Sequence, residues 1–152
     1  MEFRKATIDD VETLMGLRKQ MFADDGIPAT CNIDEEMRGY FTTGIKDGSF
    51  IAWLAIDGGE AVAVGGVFFY NMPPSYGSPT GRAAYVTNMF TRKDYRRQGI
   101  ASALLTRLLD DARALGYSRI SLMASAMGRK LYEQFNFTDS TGYMSLPLNP
   151  VG

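Results

Sequence analysis

Histidine is absent from the 152 residues, and cysteine occurs once, at Cys31. The first absence excludes His-based triads, histidine general bases and His–metal sites. With a single thiol, ordinary zinc sites go as well. One cysteine also rules out an intrachain disulfide, which suits a reducing compartment. Neither sign of charge dominates: Lys+Arg is 16, Asp+Glu is 17, and the net charge is −1. That balance gives no electrostatic basis for general nucleic-acid binding. No apolar run approaches a membrane span. The start, Met1-Glu2-Phe3-Arg4-Lys5, is charged and lacks the apolar core of a signal peptide. The expectation is a cytoplasmic protein with no metal, no membrane partner and no nucleic-acid partner. Residues 1–152 are expected to form a single domain. A chain of this length hides roughly 68–70% of its unfolded surface and needs no staple.

What is present is a regular alternation of short β-rich runs and helical stripes. Phe3–Ala6 reads as a strand. Thr7 and Asp10 read as a helix N-cap, followed by a stripe of Val11, Leu14, Met15, Leu17, Met21 and Phe22. Asp24-Asp25-Gly26-Ile27-Pro28 breaks that helix. A second helix is expected over Asp34–Lys46, stopped by Asp47-Gly48. Phe50–Ile56 and Glu60–Tyr70 flank Asp57-Gly58-Gly59 and predict a hairpin. Gly65-Gly66 inside the second strand predicts a bulge or a close backbone approach. The turn-rich connection Asn71–Arg82 is long for a hairpin loop, which marks it for substrate or interface contact. Ala84–Thr91 is the next strand. A core-spaced helix with Leu104, Leu105, Leu108 and Leu109 then runs to a stop at Gly116. Ile120–Ala124 reads as a strand and Met127–Phe135 as a helix. Phe137 and Tyr143–Leu148 read as closing strand. The mixture predicts an α/β domain with a mixed sheet.

The stretch Arg96-Arg97-Gln98-Gly99-Ile100-Ala101 carries the most chemistry. It joins an apolar strand to a strongly periodic helix. The first N–H groups of a helix have no partners within it, and the helix dipole makes that end positive. An anion docks there directly. Gly99 leaves room for a phosphate against the backbone, and Arg96 and Arg97 add charge. In isolation the same turn reads first as a solvated connection before a helix. A Rossmann site fits poorly, because it needs three glycines between strand and helix and only Gly99 is present.

Taken with its surroundings, the stretch resembles the GNAT superfamily of acetyl-CoA-dependent N-acetyltransferases. Arg96, Gly99 and Ala101 meet that family's R/Q-x-x-G-x-G/A pattern. Leu131-Tyr132-Glu133 and Phe137 meet its later Leu-Tyr-Glu-x-x-Gly-Phe signature, with Asn136 in place of the glycine. The resemblance implies a mixed, mostly antiparallel central sheet with a V-shaped splay, flanked by helices. It places acetyl-CoA in the splay as co-substrate. Met89, Phe90 and Thr91 would pair with the pantetheine arm. Arg96, Arg97, Gln98, Gly99, Ile100, Ala101 and Ser102 would hold the pyrophosphate. Many members carry an asparagine seven residues before the tyrosine; here that position is Ser125, a weaker polar contact.

The implied chemistry is direct attack of a neutral primary amine, of a small molecule or a protein, on the thioester within a ternary complex. Tyr132 matches the family's general acid, and a phenol with pKa near roughly 10 is a competent donor. A tyrosine there can equally be a packed aromatic. The general base is open among Asp24, Asp25, Glu35 and Glu36, each of which also reads as a cap or solvated charge. Asn88 could position a water. Phe22, Tyr40, Phe41, Tyr70, Tyr76 and Tyr143 read as an acceptor pocket or as core. A non-catalytic acyl-CoA-binding sensor of the same fold is the alternative function. The sequence leaves a homodimer open.

Overall fold

The computed structural model describes residues 1–140 and 142–149. Its first change of direction is set by three side chains. After β1 (Glu2–Lys5), the Asp10 carboxylate accepts the Thr7 N–H at 2.8 Å, and the Thr7 hydroxyl accepts the Asp9 N–H at 3.3 Å. This is a reciprocal capping box. Arg4 donates twice to the same carboxylate, at 2.8 and 2.9 Å. Its hydrogen bond is the largest cause holding the Asp10 carboxyl below its ordinary range. The chain then enters α1 (Val11–Asp24), which buries Val11, Leu14, Met15 and Leu17.

Next comes α2 (Asp34–Asp47), which ends at Gly48 with φ 80°, a left-handed C-terminal stop. Inside α2, a Cβ on Gly44 would stand 2.6 Å from Phe50 Cβ. Glycine there lets the helix lie directly on β2 (Phe50–Asp57). A tight turn leads into β3 (Glu60–Asn71), with Asp57 paired to Glu60 as the hairpin reading expects. The remaining strands are β4 (Arg82–Thr91) and β5 (Ile120–Ser121). Spatial order follows chain order, β1-β2-β3-β4-β5. All neighbours are antiparallel except β4 and β5.

Helices cover both faces. Phe50, Ala52, Leu54 and Val64 pack with α1 and α2. Val67, Ala84 and Val86 pack on the other face with α3 (Ile100–Ala114) and with Tyr132 of α4 (Arg129–Gln134). Leu104, Leu105 and Leu108 of α3 are fully buried, each contributing about 1.5–3 kcal/mol relative to exposure. That burial anchors α3, and with it the turn in front of it.

Three boundaries differ from the sequence reading. The strand expected over 120–124 pairs only at Ile120 and Ser121, because the chain then parts from β4 and has nothing to ladder with. The helix expected from Met127 starts at Arg129, after a turn closed by the Ser125 side chain. The closing strand expected over Tyr143–Leu148 does not form. The two-residue β5 offers it no template, and Tyr143, Met144, Leu146 and Leu148 stand exposed.

Candidate functional site

A one-residue insertion in β4 organises the site. Val64 pairs with Phe90 and Gly66 with Thr87, so two steps along β3 face three along β4. The extra residue makes a bulge, and Asn88 there takes a left-handed φ of 56°. The bulge changes which side chains face which layer. Ahead of it, Ala84 and Val86 point to the α3 cluster. Beyond it, Phe90 packs with α1 and Met89 with α3. Asn88 itself reaches α1, where its Oδ1 accepts a hydrogen bond from Arg18 Nη1. The Gly65-Gly66 expectation is met across the ladder, with the extra residue in β4 and not in β3. The bulge lies opposite these glycines, and a Cβ on Gly65 would meet Met89 Sδ at 2.8 Å.

Beyond Tyr85, β4 has no partner on its β5 side among the described residues. The two strands join at one end and part at the other, which is the expected V. Met89, Phe90 and Thr91 therefore lie where extended main chain is open on one edge. A strand-like ligand arm can pair there.

A cradle of N–H groups lies at the end of β4. Arg97 (φ 62°) and Gly99 (φ 79°) both take left-handed backbone, which turns the chain sharply into α3. The first bond of that helix is Ala103 N–H to Gly99 C=O at 3.1 Å. The N–H groups of Arg97 through Ser102 precede it without main-chain partners among the described residues. No side chain caps the helix start. An ideal Cβ on Gly99 would meet nothing within 4 Å, so that side of the turn is open. Fifteen residues of helix stand behind these donors, and their dipole favours an anion. The residues thus fit a pyrophosphate.

The two arginines divide the work. Arg96 Nε donates to Thr91 C=O at 2.9 Å, and its guanidinium pairs with Asp24 at the end of α1. It also lies over the Phe90 ring, 5.9 Å from the centroid. Arg96 therefore shapes the turn, and its charge, expected for the pyrophosphate, is matched by Asp24. Arg97 is exposed with no carboxylate partner among the described residues, which leaves its charge for a ligand. Gln98 donates to Asp94 C=O at 3.3 Å. Ile100 is buried and pins the first turn to the core, while Ala101 and Ser102 are half-buried.

Tyr132 sits across the parted strands. It is 8% exposed and belongs to the same core cluster as Val86, Leu105 and Leu108, against which Leu122 and Ala124 also pack. Phe137 meets its ring edge-on at 5.9 Å. Burial alone raises its phenol above the ordinary tyrosine value, so the hydroxyl keeps its proton at neutral pH. The packed-aromatic reading is therefore true of the ring, and it leaves a protonated donor at its tip. A Cβ on Gly128 would come within 3.0 Å of that ring. Ser125 Oγ accepts the Gly128 N–H at 3.0 Å, so its oxygen supports the turn before α4 and its hydroxyl hydrogen is what it can offer a ligand.

Other expected residues scatter. Asp24 is paired with Arg96. Asp25, Glu35 and Glu36 are exposed on the rims of α1 and α2, and Tyr76 and Tyr143 are exposed too. Phe41 is core. Arg18 was not anticipated. It lies inside an amphipathic stripe, and nothing in the spacing separates it from an ordinary helix-flank arginine. Asn88 had a visible signal, a polar residue within an apolar strand. No group of three or more His, Cys, Asp or Glu side chains gathers to hold a metal among the described residues. None of the described helices is long and apolar enough to cross a membrane.

Comparison with known proteins agrees with this geometry. The family model "Acetyltransferase (GNAT) family" matches residues 18–137. A predicted acetyltransferase from Clostridium acetobutylicum, solved with acetyl-CoA, is 33% identical; the match covers 97% of this chain and 96% of that one at a TM-score of 0.94. A GCN5-related N-acetyltransferase from Ralstonia eutropha JMP134 is 27% identical, with 97% of each chain covered and a TM-score of 0.84. A ribosomal-protein-alanine N-acetyltransferase from Brucella melitensis biovar Abortus 2308 shares the fold at 23% identity, 97% and 99% coverage and a TM-score of 0.71. No curated protein matches the sequence significantly.

Proposed function

Because the chain belongs to the acetyltransferase (GNAT) family, we propose that residues 1–152 act as one N-acetyltransferase domain that moves an acetyl group from acetyl-CoA to a primary amine within a ternary complex. The observation that carries this reading is the open N–H cradle of Arg97–Ser102 at the end of a strand that has parted from its neighbour. The Clostridium relative solved with acetyl-CoA supports the choice of donor.

Acetyl-CoA supplies a thioester whose carbonyl carbon accepts the amine. Arg97 and the N–H groups through Ser102 bind its pyrophosphate. The open edge of Met89, Phe90 and Thr91 aligns its arm, and Ser125 offers a hydroxyl beside the path. The amine attacks in its neutral form. The new C–N bond forms as the C–S bond breaks, and Tyr132 gives its proton to the departing sulfur. The proton lost by the amine passes to water, since Asp24 is occupied by Arg96. Tyr132 is recharged from solvent when CoA leaves. An unpaired, exposed Cys31 suits a cytoplasmic setting.

The test is a panel of primary amines with acetyl-CoA, following free thiol and acetylated product together. Thiol release that requires an amine and matches product one to one is expected. Tight CoA binding with no amine-dependent release would instead establish the sensor role.

A further inference from the structure

A cation of α1 and a buried amide of β4 meet without an anion among the described residues. Arg18 of α1 is half-buried, its guanidinium 4.6 Å from the Phe22 ring centroid. Its hydrogen bond goes to a neutral acceptor, Asn88 Oδ1. Among the described residues it has no carboxylate partner, a condition it shares with Arg82 and Arg107, but those two donate to the main-chain carbonyls of Leu115 and Ala103, whereas Arg18 meets only a side-chain amide. Removal from water disfavours its charge and is the largest cause of a lowered pKa, with Tyr40 opposing it. A half-buried cation without a counter-charge is an unfavourable arrangement that a bound anion relieves.

Asn88 provides the second, independent sign. It is 2% exposed, and its Nδ2 is buried with no hydrogen-bond partner among the described residues. The bond from Arg18 fixes which end of the amide is oxygen, so the orphaned end is the donor. Buried polar groups without partners are rare and need an explanation. The bulge explains why the residue is here, since left-handed backbone at Asn88 turns its side chain toward α1. Nothing in the fold explains the empty donor. Guanidinium and amide together are a set of donors with net positive charge and no acceptor, beside the strand that carries Met89–Thr91. A carboxylate supplies what the set lacks, a charged acceptor with two oxygens.

Resting on the acetyl-transfer reading, we infer that the amine acceptor carries a carboxylate, as an amino acid or a peptide-like acid does, and that Arg18 binds it with Asn88 holding the guanidinium in place. Tyr40 and Phe22 flank the cation and give the acceptor an aromatic wall. Arg18 is a binding residue; Asn88 is a positioning residue that holds the guanidinium through its Oδ1.

The experiment uses matched sets of amines: amino acids, their carboxamides, the decarboxylated amines and phosphoethanolamine. Each is titrated calorimetrically into the CoA-saturated protein and, separately, assayed for acetylation. Acids should bind about ten- to hundredfold more tightly than their carboxamides, the range of a charge-assisted hydrogen bond. Arg18→Met keeps the stem on Phe22 and should erase that preference through KM. Asn88→Asp supplies Arg18 with a fixed carboxylate and should erase it too, while Arg18→Lys should restore part of it. Acid-selective binding that depends on Arg18, without turnover, upholds the carboxylate site and overturns the enzyme reading instead. Equal binding of acids and carboxamides, no binding of either, or a preference for phosphoethanolamine overturns the inference.

Discussion

The cradle before α3 and the Arg18–Asn88 pair flank one strand, yet they are made of different material. The cradle is main chain: N–H groups exposed by two left-handed residues, Arg97 and Gly99, with one free side-chain charge. The proposed acceptor side is side chain: a guanidinium from α1 and an amide from β4, brought together across 70 residues. A main-chain site tolerates most substitutions that keep its backbone angles. A side-chain site changes its ligand with a single residue. On the proposed reading, one half can be shared by many acetyltransferases that use one donor, while the other half sets the acceptor. Each variant below asks whether that division holds.

The largest effect is expected where a side chain enters the donor half. Tyr132→Phe keeps the ring against Phe137 and removes the only atom proposed to act. Turnover should fall by about 10²–10⁴-fold, the usual range for a positioned acid, with CoA affinity and melting temperature nearly unchanged. The pH profile carries the sign. Burial raises the phenol above its ordinary value near ~10, so wild-type kcat should hold through neutral pH and decline only above the usual tyrosine range. The Phe variant should lack that alkaline decline. Wild-type turnover in the variant, with chemistry shown to limit the rate, would falsify the acid role.

Next in size is Gly99→Glu. No heavy atom lies within 4 Å of the added Cβ, so the fold is not crowded. The new carboxylate stands where phosphate is expected, and left-handed backbone in a non-glycine residue adds roughly 1–2 kcal/mol. CoA affinity should drop by about tenfold or more, since each 1.4 kcal/mol is tenfold. Gly99→Asn, which tolerates that backbone, should keep most of the affinity. If Asn proves as damaging as Glu, the site depends on more than open main chain and charge.

The same division explains what the sequence made visible. Local features could be read: the Thr7–Asp10 cap, the hairpin at Asp57-Gly58-Gly59, the Gly65-Gly66 approach, and the strand–turn–helix around Gly99. Each depends on a few neighbouring residues and their backbone preferences. The Arg18–Asn88 pair could not be read, because it exists only once a bulge in β4 has redirected Asn88 toward α1. The shortening of β5 was hidden for a related reason. Ile120–Ala124 has strand composition, but a ladder needs a partner, and the partner turns away. Residues 142–148 show the same limit, alternating in pattern yet without an edge to join.

A smaller effect is expected from the connection between β3 and β4. Asn71 and Arg82 are themselves paired, so the loop proper lies between them. It is closed by Met72 N–H to Gly81 C=O at 2.7 Å and by the Ser75–Ser78 bridge. Gly81 has no room for a Cβ, which would fall 1.9 Å from Met72 C=O. Removing the tip while keeping Met72 and Gly81 should preserve the hairpin and CoA binding and change amine KM severalfold. Weakened CoA binding with unaltered amine preference would move this loop to the donor half.

The smallest effect tests the main-chain character of the donor half most directly. Asn136 occupies the position where the family pattern has glycine, and its φ of 68° shows why. Its N–H bonds Glu133 C=O and the next N–H bonds Tyr132 C=O, both at 3.0 Å, closing the helix that carries Tyr132. Asparagine is among the few residues that visit this conformation readily. Asn136→Gly removes what strain remains but frees the unfolded chain, an opposing effect of about 0.4–1 kcal/mol. The net change in stability should be under about 1 kcal/mol, with kcat and CoA affinity unmoved. Asn136→Val, a β-branched residue poorly suited to positive φ, should lower the melting temperature and, by loosening the turn behind Tyr132, lower kcat as well. A marked loss of turnover in the glycine variant would mean that the Asn136 side chain itself serves the site, and the donor half could no longer be described as backbone with one acid and one cation.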